Sequence, residues 1–198
     1  YIFFVDDNII ADQEHAIELC KAVQPLHIHW ASQGTLTLAK NRDLLQWLGK
    51  SGCRLLLIGF ESLEKQNLQQ MKKAWTINMG NVDEFVQTIH AAGISIYATF
   101  VFGYDHDTPV SFTKALEFSM RHRFFFAAFN HLLPLPGTAV YERLRRENRL
   151  IDETWWLEPG YTYGRIPFWP KHMSPEELSD RCAEARREFF RYSSIWKR

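Results

Sequence analysis

Tyr1-Ile-Phe-Phe-Val-Asp-Asp-Asn8 decides how the rest of the chain is read: five apolar residues run straight into two carboxylates and a carboxamide. A solid apolar run without polar alternation describes a strand buried on both faces. The polar cluster then falls where the strand leaves the core. In sheets built of alternating strands and helices, ligands bind at that carboxyl-terminal edge.

The arrangement recurs four times downstream. Runs at 26–30, 54–59, 94–102 and 124–133 read as strands, each ending on polar or turn-forming residues. Helical patterns lie between them. Asp12 caps a helix with Ala16, Cys20 and Val23 inward and Ile17 and Leu19 widening that face, which Pro25 ends. Residues 42–50 turn Leu44, Leu45 and Leu48 inward and close on Gly52. A short amphipathic piece follows at 64–73, and Asn81 opens a helix with Val82, Phe85, Val86 and Ile89 inward. Thr108-Pro109 opens a helix presenting Phe112, Ala115, Leu116 and Ser119, and Thr138 caps one carrying Val140, Tyr141 and Leu144. Residues 151–173 are rich in Trp, Tyr and Pro and read as irregular. Ser174-Pro-Glu-Glu177 combines a cap, a proline at the first helical position and a capping-box glutamate. Leu178, Cys182, Ala185 and Phe189 are the stripe of that last helix. The class is therefore α/β with a parallel sheet. An incomplete barrel and an open doubly wound sheet both satisfy the pattern. The expected division is a βα core over 1–150 and an aromatic-rich segment with the terminal helix, packed on it, over 151–198.

The chain's 198 residues suffice for one sizeable core. Lys plus Arg and Asp plus Glu are 23 each, so no broad attraction to nucleic acid or an anionic membrane is expected. No apolar run approaches the roughly 18 residues of a membrane span. Cys20, Cys53 and Cys182 are far apart and show neither ligand spacing nor a disulfide framework, which points to the cytoplasm. The first residue is a tyrosine inside a strand rather than a methionine, so the chain is expected to be a fragment.

The strand exits carry Asp6, Asp7 and Asn8; Ser32 and Gln33; Glu61 and Ser62; Asp105 and Asp107; and Pro134 to Thr138. On one rim, these acceptors suit a ligand with an ammonium group and ribose hydroxyls. Gly137 would let backbone approach a base ring. The plainer reading makes each acid a helix cap or turn former. Glu61 stands apart, because neither its turn nor the following residues need a glutamate for capping. Lys72 and Lys73 read as a solvated face, His27 and His29 as strand residues, and the cysteines as buried small hydrophobes.

Val5-Asp-Asp-Asn8, Ile58-Gly-Phe-Glu-Ser62, the stretch from Gly93 through Phe102-Gly-Tyr-Asp105 to Asp107-Thr108, Pro134-Leu-Pro-Gly-Thr138 and Met173-Ser-Pro-Glu-Glu-Leu178 resemble, in this order, the radical S-adenosylmethionine superfamily. More narrowly, they are similar to the branch whose members usually carry an N-terminal cobalamin-binding domain. The resemblance implies a partial TIM-type barrel, with five of six parallel strands present here. It implies S-adenosylmethionine and a 4Fe-4S cluster as cofactors, and cobalamin bound by a separate domain. The CxxxCxxC that binds the cluster belongs to the strand this chain lacks, and three scattered cysteines cannot replace it. Asp6, Asp7 and Asn8 stand in the place of the segment that receives the methionine ammonium. Gln33 is near the methionine carboxylate, and Glu61, with Ser62 beside it, holds the ribose. Phe102, Pro136 and Gly137 flank the adenine. The implied chemistry is that of a 5′-deoxyadenosyl radical, including methyl transfer or oxidative cyclisation in cobalamin-linked members. A small, hydrophobic substrate and a reductant such as flavodoxin or ferredoxin are the expected partners, without nucleic acid. A non-catalytic βα protein that binds a nucleotide-like ligand without a cluster is the alternative.

Overall fold

The computed structural model describes residues 1–73 and 80–198. Five strands, β1 (Ile2–Phe3), β2 (Trp30–Gly34), β3 (Cys53–Glu61), β4 (Ser95–Phe102) and β5 (Phe126–His131), form one sheet in sequential order. Every pairing is parallel. Parallel neighbours need crossovers, supplied here by α1 (Gln13–Val23), α2 (Arg42–Lys50), α3 (Lys65–Gln70), α4 (Val82–Ala91) and α5 (Pro109–Arg121). Then follow α6 (Ala139–Arg146), α7 (Pro175–Phe189) and the short α8 (Tyr192–Ile195). Sequential order with parallel pairing curls the sheet into a half-barrel, so the open doubly wound alternative is set aside. Five carboxyl-terminal strand ends share one rim.

Alternation along the strands sorts the two faces. Leu56, Ile58 and Phe60 of β3, and Ile96, Ala98, Phe100 and Phe102 of β4, are buried with the helices. Their intervening neighbours Leu57, Gly59, Tyr97, Thr99 and Val101 are half-buried on the concave side. The outer layer is largely phenylalanine: Phe100 stacks on Phe129 at 5.7 Å between ring centroids, and Phe102 on Phe112 at 4.1 Å. Each such ring contributes about 1.5–3 kcal/mol by burial alone. Gly103 has φ +110°, and a Cβ there would come 2.9 Å from both Leu178 and Phe168. That close approach seats α7 and the irregular segment against the end of β4.

The expected caps are present at Asp12, Asn81, Thr108, Thr138 and Ser174. Three expectations need correction. β1 is two residues long and exposed, because it is the edge of the sheet and nothing covers it in the described chain: Phe3 is 51% and Val5 77% exposed. The second strand begins four residues later than read. A 3-10 turn over Gln24–Leu26 and a left-handed His27 (φ 50°) delay it. The supposed exit, residues 31–34, is then the strand itself, with Ser32 buried and its Oγ donating to Phe4 O at 2.8 Å. At Ser174 only half of the capping box forms. Its oxygen accepts from Glu177 N, while the Glu177 carboxylate accepts from Arg181 Nε at 2.9 Å. Residues 151–173 hold one 3-10 turn (Trp155–Leu157), and the bridge between Leu150 and Phe168 clamps their ends. No described helix is long and apolar enough to cross a membrane.

Candidate functional site

The rim opens into a cleft of about 350 Å³ across β1, β2, β3 and β4, within the range of small-molecule pockets. Backbone bonds from Phe4 N to Ala31 O (2.9 Å) and from Ile9 N to Gln33 O (3.1 Å) hold the β1 exit beside β2. Asp7 is exposed at the mouth of the cleft, and Asn8 is half-buried, with its Oδ1 accepting from Ile10 N at 3.2 Å. Gln33, from the concave side of β2, lines the same wall.

Glu61 lies on the floor's far side. The β3–β4 register slips between Gly59 and Glu61, and Glu61 takes φ 63°. The slip and the left-handed turn fold its carboxylate back over Gly59, where any Cβ would collide with Glu61 Oε1. Lys73 Nζ meets that oxygen at 2.6 Å, with Glu61 22% and Lys73 40% exposed. Lys73 gets there because α3 ends on a left-handed Lys72 (φ 58°), and Lys73 N donates to Leu68 O. Thr99 of β4 completes the floor.

Asp7, Asn8, Gln33 and Glu61, from three separate strand exits, are thus brought together. Asp6 is exposed next to Asp7 but does not line the cleft. Ser62 is buried and faces away; its Oγ accepts from Glu64 N at 3.1 Å and Asn67 Nδ2 at 3.4 Å. Phe102 is on the helix-covered face, and Thr99 and Val101 hold the concave positions of that strand. Pro136 and Gly137 (φ +79°) are exposed at the β5 exit, outside the cleft. Lys73 and Thr99 escaped the sequence reading. Nothing in Lys72-Lys73 marks a left-handed turn, since neither residue is glycine or asparagine. Thr99 could have been found by counting alternate positions along β4.

The acids after β4 are consumed internally. Asp105 meets Arg143 at 2.6 Å, Arg149 at 2.8 Å and Lys171 at 2.9 Å, and accepts from Gln70 Nε2 at 2.8 Å. Burial alone would raise its pKa, but these partners hold the carboxyl well below the usual range. Asp107 accepts from Gly103 N, Tyr104 N and Asn67 Nδ2 at 2.8–3.0 Å. Burial outweighs those bonds and, with the charge of Glu64 adding, pushes it up to about 6. Cys20, Cys53 and Cys182 are all buried, and burial raises each thiol above its ordinary range, Cys53 furthest. Among the described residues, no group of His, Cys, Asp and Glu could hold a metal ion.

No family model matches the chain. It is 32% identical over 195 residues to the bacteriochlorophyllide d C-12(1)-methyltransferase of Chlorobaculum tepidum, an alignment covering 98% of the chain and 41% of that protein. It is 28% identical over 162 residues to the hopanoid C-2 methylase of Rhodopseudomonas palustris, covering 77% of the chain and 30% of that protein. The chain therefore spans less than half the length of these relatives. Among solved structures, the radical S-adenosylmethionine methyltransferase TsrM of Kitasatospora setae superposes with a TM-score of 0.62 at 16% identity, over 94% of this chain and 37% of that one. That likeness is one of fold: a partial βα barrel. On the relatives in sequence, the chain belongs to the radical S-adenosylmethionine superfamily, in the branch whose members usually carry an N-terminal cobalamin-binding domain.

Proposed function

We propose that this chain is the S-adenosylmethionine-binding part of a methyltransferase, and that its cleft seats the methionine and ribose of that cofactor. The observation that carries the reading is the convergence of Asp7, Asn8, Gln33 and Glu61 on one cleft of about 350 Å³. The donor set fits the molecule. Asp7 and the Asn8 carbonyl offer acceptors to the ammonium, and Glu61 offers two oxygens to vicinal hydroxyls. Lys73 offers a cation to the methionine carboxylate, beside Gln33. In the absence of ligand, Lys73 neutralises Glu61. Binding then exchanges that pair for two charge-assisted contacts with the ligand, each of the stronger kind. Gly59 leaves the carboxylate its place.

When bound, S-adenosylmethionine supplies the transferable methyl group and the radical chemistry of the superfamily. The chain's residues hold and orient it. The described residues do not fit a 4Fe-4S cluster, because the three cysteines are separated and buried. Its ligands, like any cobalamin site, belong outside this chain, and no step is derived through either. The whole protein would act on a small, hydrophobic acceptor and draw electrons from a reductant such as flavodoxin or ferredoxin. The division into a core over 1–150 and an appended 151–198 is kept as part of the proposal, supported by the Lys171–Asp105 pair that ties the appended segment to the β4 exit.

The test is calorimetric titration of the full-length protein with S-adenosylmethionine. Binding that weakens about tenfold or more in Glu61→Gln supports the reading; unchanged affinity removes the cleft from it.

A further inference from the structure

We propose that Asn67, a buried residue outside the cleft, is a positioning residue for the cofactor: it docks α3 against the β4 exit and so sets where Lys73 meets Glu61. This rests on the function proposed above and concerns how that same site is built.

Glu61 and Lys73 are twelve residues apart, yet they meet at 2.6 Å. The chain between them leaves β3, forms α3 and comes back. Its outgoing end is fixed without Asn67: Ser62 N donates to Phe60 O at 2.8 Å, and Ser62 Oγ accepts from Glu64 N at 3.1 Å. The returning end depends on α3, because Lys73 N donates to Leu68 O at 2.8 Å. A helix of six residues without a side-chain cap does not hold itself in water. Its place therefore comes from tertiary contacts.

Asn67 supplies the buried polar ones. It is fully buried, whereas the other polar residues of α3 are half-buried or exposed. Its Nδ2 donates to Asp107 Oδ1 at 2.8 Å and, more loosely, to Ser62 Oγ at 3.4 Å, and its Oδ1 accepts from His106 N at 3.0 Å. Both amide hydrogens and one lone pair are thus engaged. Asp107 is itself anchored, its other oxygen accepting from Gly103 N at 2.9 Å and Tyr104 N at 3.0 Å. The path from the β4 exit to the cleft is short: Asp107 holds Asn67, the next residue Leu68 holds Lys73, and Lys73 meets Glu61. The other polar ties of α3 are weaker anchors. Lys114 pairs with Glu64 at 2.7 Å on the surface, where such pairs contribute little. The half-buried Gln70 bonds Asp105, and losing that bond leaves those of Asn67 in place. An asparagine that only satisfied the interior would affect stability alone. One that places Lys73 also affects the contact Lys73 makes with the methionine carboxylate, a group adenosine lacks.

The test is calorimetric titration of the full-length protein with S-adenosylmethionine and, separately, with adenosine, with melting temperatures read alongside. Asn67→Asp keeps the volume but turns an acceptor toward Asp107; it weakens S-adenosylmethionine about fivefold and adenosine less than about twofold. Combining it with Asp107→Asn restores the bond with donor and acceptor exchanged, and brings S-adenosylmethionine affinity back to within about twofold of wild type. In Lys73→Met, the further change Asn67→Asp has no added effect on S-adenosylmethionine, because the residue it acts through is gone. Asn67→Ser, which adds no charge, gives the same pattern and takes the place of Asn67→Asp if that variant does not fold. Wild-type affinity in a folded Asn67 variant, equal weakening of both ligands, or effects that add to those of Lys73→Met each overturn the proposal. Failure of wild type to bind S-adenosylmethionine overturns the function beneath it instead.

Discussion

Two pairs of acids sit on one rim and have opposite fates. Asp7 and Glu61 border a cleft, exposed or half-buried, with Lys73 as counter-ion to Glu61. Asp105 and Asp107 are buried within two residues of each other and spend their oxygens on the protein. The sequence signal, an acid just past an apolar strand, is the same in both. What differs is the element that follows. After β4 the chain turns through Gly103 under α7 and Phe168, which closes over the acids. After β3 the chain leads away through the short α3, and among the described residues the carboxylate stays partly exposed. On the function proposed above, a strand exit serves a ligand only where no later described element roofs it.

The comparison is sharpest at Asp105. Asp105→Ala leaves the largely buried Arg143 and Arg149 with only Glu147 as counter-ion, and about 3 kcal/mol of stability is the expected loss in urea unfolding. The folded fraction should still bind S-adenosylmethionine; a selective loss of binding would erase the distinction between the pairs. Glu61→Gln shows the reverse: about tenfold or more weaker binding with a stability change within about 1 kcal/mol, because the Lys73 pair is partly exposed. Gly59→Ala separates the carboxylate's place from its charge. The added methyl group displaces Glu61 Oε1, so ligand affinity should fall several-fold in calorimetry while Glu61 remains. Lys73→Met should weaken S-adenosylmethionine more than adenosine, which has no carboxylate; equal effects on both would make Lys73 only a counter-ion.

The smallest effect is on pH dependence. Asp107, raised to about 6, binds a proton more readily folded than unfolded. Its contribution to stability is therefore full below the ordinary carboxylate range and is lost as pH rises to 6. Asp105, held low, contributes above the ordinary carboxylate range and loses that contribution as pH falls through and below it. Melting curves of wild type and Asp107→Asn between pH 4 and 7 should differ in slope, with wild type declining relative to the variant as pH rises. Parallel curves would remove Asp107 from the account.

The strand–helix alternation was legible because apolar runs and caps are local. Asp12, Asn81, Thr108, Thr138 and Ser174 needed no tertiary knowledge. The second strand was misplaced because an apolar alternation at 26–30 resembles a strand, whereas the left-handed His27 leaves no mark on composition. Within the candidate site, Glu61 could be singled out by elimination, since no cap required it. Lys73 could not, because its entry depends on how α3 ends. Ser62 and Phe102 show the limit of reading an exit without its face: one residue's shift in register or alternation points a side chain into the helix layer.

Glu61 at φ 63° has a consequence for anyone selecting variants of this protein for thermal robustness alone. A left-handed backbone costs a branched or long side chain about 1 kcal/mol or more, and glycine almost nothing. A screen blind to ligand should therefore enrich Glu61→Gly and Glu61→Asn among its hardiest survivors. Each would be a better-behaved polypeptide whose cleft has lost its acid, and a library filtered by heat before assay would discard the function it was built to keep.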